Sequence, residues 1–184
     1  RDFSRQLIEA APIIIMTQKL NGMILTINQA GIHHFETDGK AIIGGLFTTV
    51  GGTARTNVAR LTTTGALDTT FTAASEVNSE VYVVVVQPDD KILVGGNFTA
   101  GDGLVRLNAD GSLDSSFNSG APTGGRLVTC LALQDNGKVI VGGYGDYGRS
   151  SLERQNADGT LDTAFSATLQ GTSTPGVLRS IVIQ

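Results

Sequence analysis

One phrase is written three times in this chain of 184 residues, and it constrains the fold more than any other feature. The central copy runs VYVVVVQPDDKILVGGNF, then a short loop, then VRLNADGSLDSSF. The same position after the first turn is held by Lys40, Lys91 and Lys138, and each copy ends on an aromatic, Phe71, Phe117 or Phe165. Repetition on this scale is typical of arrays, solenoids and propellers, in which one unit cannot bury its apolar face alone.

Each copy carries the chemistry of β-hairpins. Apolar runs lead into the turns TDGK, PDDK and DNGK and continue as AIIGG, ILVGG and VIVGG. Such turns predict hairpins because Gly adopts positive φ without steric cost, and the Gly-Gly pairs predict a bulge or a close backbone approach. A second hairpin is predicted over VARLTTTGALD, VRLNADGSLD and LERQNADGTLD, and the phenylalanine that follows is predicted to plug the space between neighbouring units. The pattern predicts an all-β fold of tandem hairpin repeats.

The repeated phrase DGK-x-I-x-GG-x-F, followed by ARLN-x-DGSLD-x-x-F, resembles the delta-60 repeat, a module of large bacterial surface and secreted proteins. The resemblance implies β-propeller blades over about 32–72 (repeat one), 81–118 (repeat two) and 127–166 (repeat three), with the start of a fourth at 176–184. Thr62 and Thr64 depart from the Asn and Asp of the other copies. Closed propellers have four to eight blades, so further sequence or neighbouring chains are expected to complete the array, and the chain is expected to be a piece of something larger.

Residues 1–31 do not belong to the repeat. RDFSRQLIEAAP predicts a short helix, and Asn21-Gly22 predicts a hairpin turn between two strands. The stretch over about 5–31 resembles the opening of a PAS sensory domain, without that domain's later helices and strands. The alternative is a hairpin that covers the open edge of repeat one, since exposed strand edges need covering.

Composition excludes several classes of function. The net charge of −4 argues against nucleic-acid binding, which needs clustered Lys and Arg. No stretch approaches the length of a membrane span, so membrane insertion is not expected. Cys130 is the only cysteine and is predicted to be a small buried hydrophobe.

The second turn is the candidate for metal chemistry. It supplies oxygen ligands at every second or third position around a central Gly, as calcium loops do, in Asn108, Asp110, Asp114, Asn156, Asp158 and Asp162. Arg106 and Arg154 stand where a calcium loop places its first Asp. The alternative is that Asp110 and Asp158 shape the turn, while Asp68, Asp114 and Asp162 pair with Arg60, Arg106 and Arg154. No other cofactor is predicted.

The loop YGDYGRS differs most from its counterparts in the other copies. Tyr144, Asp146, Tyr147 and Arg149 combine aromatic and charged groups that those copies lack. Such a loop is the best candidate for contact with a protein or a glycan.

No catalytic motif appears in the sequence. The sequence therefore predicts a non-catalytic structural and interaction module, a β-propeller segment that mediates adhesion or protein or glycan binding through its loops. The resemblance implies an extracellular or cell-surface location. Two alternatives stay open: a sensory input region with a PAS-derived start, and a carbohydrate-active enzyme.

Overall fold

The repeats fold as small antiparallel sheets, and in repeats two and three the paired strands are consecutive in the chain. The computed structural model describes residues 40–119, 126–144, 150–167 and 178–183. The strands are β1 (Ala41–Gly44), β2 (Thr49–Val50), β3 (Thr53–Ala54), β4 (Val58–Leu61), β5 (Val81–Val86), β6 (Ile92–Gly96), β7 (Leu104–Leu107), β8 (Leu127–Leu133), β9 (Val139–Tyr144) and β10 (Ser150–Gln155). Repeat two forms the sheet β5-β6-β7, repeat three forms β8-β9-β10, and repeat one pairs β1 with β4. The prediction of an all-β fold is confirmed.

The predicted second hairpin is only partly formed. After β7 the chain turns back for a single antiparallel bridge between Leu107 and Leu113, and the same bridge recurs as Leu61 with Leu67 and Gln155 with Leu161. The backbone N–H of Asp114 still donates to the carbonyl of Arg106 at 2.9 Å, and directly after it the Asp114 carboxylate accepts from the backbone N–H of Ser116 at 3.0 Å, where the ladder ends. A fourth full strand was predicted for each unit, and the structure has one bridge in its place.

The first turns of repeats two and three each contain a residue with positive φ. Gly137 supplies it in repeat three with φ of 78°, whereas Asp90 adopts φ of 63° at the equivalent position in repeat two. A residue with a Cβ is strained in this left-handed region. Repeat two therefore carries backbone strain that repeat three avoids.

The core lies between the sheets, and β5 contributes to it from both faces. Val84 and Val86 pack in one cluster with Phe71 of repeat one, and Val83 and Val85 pack in a second cluster with repeat three. A strand buried on both faces requires an unbroken apolar run, which explains VYVVVV. Phe71 is fully buried in the first cluster, as predicted for a plug between repeats. Phe117 is half-buried and packs against the second cluster, and Phe165 is half-buried.

The Gly-Gly pair lets a side chain of the next repeat and a backbone segment of its own repeat approach β6 closely. A Cβ on Gly95 would lie 2.6 Å from Cγ1 of Val128 in repeat three. A Cβ on Gly96 would collide with the carbonyl oxygen of Glu80, next to the bulge in β5 between Val81 and Val83. Gly95 therefore leaves room for Val128 of the next repeat, and Gly96 leaves room for the first strand of its own repeat. The predicted close approach is confirmed.

Residues 178–183 lie against repeat three. Thr129 Oγ1 donates a hydrogen bond to the carbonyl oxygen of Leu178, and a Cβ on Gly142 would meet the side chains of Leu178 and Ile181. This segment approaches repeat three as Val128 approaches Gly95 in repeat two. The predicted N-terminal helix and hairpin at 1–31, and the first strand of repeat one, lie outside the described residues.

Candidate functional site

The two ends of the sheets differ. In an antiparallel sheet of consecutive strands, every second connection returns to the same end. One end, which we call the turn end, carries the turns at 62–66, 87–91, 108–112, 134–138 and 156–160. The other, the loop end, carries the connections 45–57 and 97–103, the end of β9 and the start of β10. The turns are alike in every repeat, while the connections at the loop end differ in length and sequence.

One buried aspartate in each repeat holds the turn end together. In repeat two, Asp114 accepts hydrogen bonds from Lys91 Nζ at 2.9 Å, Arg106 Nε at 2.8 Å and Ser116 Oγ at 2.6 Å. The arginine pairing recurs in the other repeats, as Asp68 with Arg60 at 2.9 Å and Asp162 with Arg154 at 2.8 Å. The predicted arginine–aspartate pairs are confirmed.

These carboxylates are held in the ionised form. Hydrogen bonds from Thr70 lower the pKa of Asp68 to about 2, and those from Lys138 and Arg154 lower the pKa of Asp162 to about 2. Burial raises the pKa of Asp114, but hydrogen bonds from Ser116, Lys91 and Arg106 outweigh it and hold that pKa well below its usual value. A carboxylic acid that protonates a leaving group needs a raised pKa. The three aspartates have the opposite property.

The arginines also join each repeat to the next. Arg60 Nη1 donates to the carbonyl oxygen of Ala109 at 2.6 Å, and Arg106 Nη1 donates to that of Ala157 at 2.7 Å. The guanidinium of Arg106 lies 4.6 Å from the ring centroid of Phe117. We call this set the latch: the arginine, its aspartate, its phenylalanine and the carbonyl of the next turn. The latch has a structural role, because it occupies the repeated charged groups with one another.

The six candidate calcium ligands lie in and directly after these turns. Asp110 Oδ1 accepts from the backbone N–H of Ser112 at 2.9 Å and from its hydroxyl at 2.6 Å. Asp158 bonds Thr160 in the same way, and Asn108 and Asn156 donate to the two hydroxyls at 3.0 Å. Asp114 and Asp162 belong to the latch.

Among the described residues, no group of three or more His, Cys, Asp or Glu side chains is placed to hold a metal ion. The Asp and Asn oxygens bond their own turns, and two carboxylates already bind Lys and Arg. This arrangement favours the turn-shaping alternative, and calcium binding stays a prediction for titration to test.

The structure describes one of the four residues of the predicted partner-binding loop. Tyr144 is the last residue of β9, half-buried, and lies between Leu127 of β8 and Ser150 of β10 in the sheet register. Asp146, Tyr147 and Arg149 lie outside the described residues. The binding role of this loop stays a prediction, and Tyr144 lies at the loop end of β9.

Tyr82 is an exposed aromatic at the loop end that the sequence interpretation missed. It is the one exposed residue of β5, with 40% of its surface accessible. Its hydroxyl donates to Glu80 Oε2 at 2.8 Å. Burial and the neighbouring Glu80 raise the pKa of Tyr82 to about 12, so the phenol stays protonated. The available signal was a single tyrosine in a run of valines, two residues after a glutamate.

A second missed feature is a buried polar junction between repeats two and three. Arg126, which is 6% exposed, places Nη1 2.5 Å from Glu153 Oε1. The fully buried Gln155 donates to the carbonyl of Ser119 at 2.8 Å. Within the described part of the chain, Arg126 Nε and Nη2 and Gln155 Oε1 have no hydrogen-bond partner. The signal in the sequence was LERQ in repeat three, where repeat two has LVRL.

The comparisons with known proteins agree with the repeat architecture. A family model described as "Domain of unknown function (DUF5122) beta-propeller" matches residues 36–71, 87–117 and 134–165, more than half of the chain in total. No curated protein and no solved structure matches the chain. In the described ranges, no helix has the length and apolar character needed to cross a membrane. The predicted β-propeller repeats are confirmed, while the delta-60 name and the PAS-like start stay predictions.

Proposed function

We propose that this chain, which belongs to the DUF5122 beta-propeller family, is a non-catalytic module that binds a protein or glycan partner through its loop end. One observation carries the proposal. The repeats are alike at the turn end, where the latch occupies the charged groups, and unlike at the loop end, where side chains are free to differ. Loops on a rigid scaffold are where binding residues concentrate.

The turn end supports a non-catalytic role. Its aspartates recur at equivalent positions in all three repeats, and each is paired with the arginine of its own repeat. Their lowered pKa values keep them ionised and unsuited to acid catalysis. A carbohydrate-active enzyme built on these repeated carboxylates is therefore disfavoured.

The loop end supports a binding role through its accessible surface. The connection 45–57 in repeat one folds into the hairpin β2–β3, in which Thr49, Thr53 and Ala54 are exposed. Leu46, at the start of this connection, is 59% exposed. Exposed apolar and aromatic groups beside polar ones are typical of interaction surfaces.

We propose that the module is located at a cell surface or in an extracellular assembly, where neighbouring repeats or chains complete the propeller. The resemblance to repeats of bacterial surface and secreted proteins supports this location. Antibody labelling of intact producing cells tests it. Labelling only after the cells are lysed would contradict it.

A binding screen tests the interaction role. The folded chain is immobilised and exposed to glycan arrays and to proteins from the producing cells. A loop-end variant, Tyr144→Ala with Tyr147→Ala, is compared with a turn-end variant, Thr64→Ala. We expect the loop-end variant to lose at least about tenfold in affinity for the captured partner and the turn-end variant to retain it. Loss in the turn-end variant alone, or release of sugars from a glycan, would overturn the proposal.

A further inference from the structure

Consecutive repeats are joined at the turn end by the same two hydrogen bonds. Arg60 Nη1 donates to the carbonyl of Ala109 at 2.6 Å, and the backbone N–H of Thr72 donates to the carbonyl of Asp110 at 3.1 Å. The next interface repeats both bonds, from Arg106 to Ala157 at 2.7 Å and from Asn118 to Asp158 at 2.8 Å. We call the arginine and the N–H the donor half of the interface, and the turn with its two carbonyls the acceptor half.

A glycine in the acceptor half lets the two repeats approach closely. A Cβ on Gly111 would lie 2.5 Å from the carbonyl oxygen of Thr72, and a Cβ on Gly159 would lie 2.6 Å from that of Asn118. Both glycines are buried. A side chain at this position would therefore separate the repeats.

Repeat three carries a donor half that has no acceptor half against it within the described residues. Arg154 Nε bonds Asp162, but neither Nη1 nor Nη2 donates to a carbonyl, and the N–H of Ser166 forms no backbone hydrogen bond there. The Arg154 side chain is 23% exposed, whereas that of Arg106 is 9% exposed. The donor half of repeat three is therefore accessible.

Repeat one carries an acceptor half that receives no donor half in the described part of the chain. Its turn has the backbone of the other two, because Gly65 adopts φ of 81° and its N–H donates to the carbonyl of Thr62 at 2.9 Å. Gly65 is exposed, and apart from its chain neighbours no described atom lies within 4 Å of the position that its Cβ would take. The carbonyls of Thr63 and Thr64 occupy the two acceptor positions of this turn.

Residues 178–183 occupy the place of the first strand of a following repeat, because they lie against Gly142 as β5 lies against Gly44. Val85 of β5 is buried beside repeat three, whereas Val182 at the same position in 178–183 is 80% exposed. Among the described residues no strand pairs with this segment, and β1 pairs only with β4. In repeats two and three the first strand pairs with the strand that contains Gly-Gly, so β1 of an incoming repeat one would pair with 178–183.

We propose that the chain associates head to tail, with repeat three of one copy bound to repeat one of a second copy. Arg154 Nη1 donates to the carbonyl of Thr63 of the second copy, and the N–H of Ser166 donates to that of Thr64. The occupant is a second copy because one chain presents both halves of the contact, at opposite ends of its array. Such a contact is heterologous, and two copies bring together six repeats, within the four to eight blades of closed propellers.

This inference rests on the part of the proposed function in which neighbouring chains complete the propeller, and it names the residues of that contact. It is independent of what the loop end binds. Sedimentation equilibrium from micromolar to millimolar concentration tests it. We expect the average mass to rise with concentration, from that of one chain to at least that of two.

Arg154→Ala removes the guanidinium of the donor half. We expect this variant to weaken association at least about tenfold, because it loses a hydrogen bond from a charged donor. Its own acceptor half, the turn at 62–66, is unchanged.

Gly65→Asn blocks the acceptor half and leaves the rest of its chain unchanged. Asn accepts positive φ, and the position is surrounded by open space in one copy, but a docked copy would bring its backbone into the space of the new side chain. We expect this variant to remain monomeric. Gly137→Asn is the matched control, because Gly137 has φ of 78° in a turn where repeat two already carries Asp90, and we expect its association to be unchanged. Thermal melting confirms that each variant is folded.

Mixing the two blocked variants separates this contact from any other mode of association. The Gly65→Asn chain retains a donor half, and the Arg154→Ala chain retains an acceptor half. We expect the mixture to form a complex of one copy of each variant, at concentrations where each variant alone is monomeric.

Three outcomes would overturn the proposal: an unmodified chain that stays monomeric at millimolar concentration, association that survives Gly65→Asn, or a mixture of the two variants that stays monomeric. Each of them leaves the binding role of the loop end standing, because the binding screen uses immobilised single chains. Failure of that screen while head-to-tail association persists would contradict the binding role alone.

Discussion

Arg106 joins repeat two to repeat three. Its side chain is 9% exposed and bonds Asp114 at 2.8 Å within its own repeat. It also donates to the carbonyl of Ala157 in repeat three at 2.7 Å and lies over the ring of Phe117 at 4.6 Å. Arg106→Ala removes all three contacts and leaves a buried carboxylate with Lys91 as its remaining cation.

The expected loss follows from these contacts. Breaking a buried ion pair by removing one partner costs about 3–5 kcal/mol, and Lys91 at 2.9 Å from Asp114 limits this to the lower value. The hydrogen bond from a charged donor to Ala157 contributes about 1.5–3 kcal/mol. The cation–ring contact contributes about 0.5–2 kcal/mol. Because the three contacts share one side chain, their energies are not additive. We expect Arg106→Ala to lower the free energy of unfolding by about 4 kcal/mol.

Arg154→Ala is the matched control. Arg154 bonds Asp162 at 2.8 Å and lies 4.8 Å from the Phe165 centroid, but its side chain is 23% exposed. Within the described residues it donates to no carbonyl of another repeat. Urea unfolding followed by far-ultraviolet circular dichroism measures the free energy of unfolding of both variants. We expect Arg154→Ala to lower this free energy by less than half as much as Arg106→Ala does. Arg106→Lys separates the two roles, because it keeps a charge near Asp114 and cannot also donate to Ala157.

Equal losses for Arg106→Ala and Arg154→Ala would refute the reasoning, because the bond between repeats would then contribute nothing measurable. A loss below about 1 kcal/mol for Arg106→Ala would refute it as well, since that is the range of exposed ion pairs.

Four further predictions concern stability. Gly95→Ala is expected to cost about 1–3 kcal/mol by overpacking against Val128; in a double-mutant cycle with Val128→Ala measured by urea unfolding, strict additivity would contradict this contact. The pKa of Asp162, about 2 in the fold against about 3.9 in unfolded chains, adds stability that is present above about pH 4 and lost as pH falls towards 2; melting temperatures that stay level across this range would count against it. Asp114→Ala is expected to lower the melting temperature without altering its response to calcium; a calcium-dependent shift that this variant abolishes would favour the metal interpretation. Asp90→Gly is expected to stabilise the chain by up to about 1 kcal/mol by relieving positive φ; a loss of stability in urea would show that the Asp90 side chain is needed.

The sequence was sufficient to predict contacts that are local to one repeat. The turn glycines and the arginine–aspartate pairs each lie within one hairpin, so aligned copies reveal them. Arg106 and Asp114, for example, are separated by eight positions and lie on the two sides of one turn. Hairpin geometry alone brings such residues together.

The sequence was insufficient to predict contacts that depend on how neighbouring sheets lie against each other. The bond from Arg106 to Ala157 spans 51 positions, and no pattern in either repeat indicates the angle that creates it. The bulge that exposes Tyr82 is set by where the ladder shifts register, between Val81 and Val83, and a run of valines does not mark that point. The missing fourth strand has a local origin instead, because the carboxylate of Asp114 accepts from the backbone N–H of Ser116 directly after the single bridge.

Repetition itself separates structural groups from candidates for function. A side chain that makes the same contact at successive interfaces serves the array, as Arg60 and Arg106 do towards Ala109 and Ala157. A side chain that is exposed, and is replaced by another residue type at the equivalent position of the next repeat, does not have that shared role. Tyr82 satisfies this criterion, because Thr129 fills its place in repeat three. Residues at such unrepeated surface positions can be suited to a ligand without loss of the contacts that hold the repeats together.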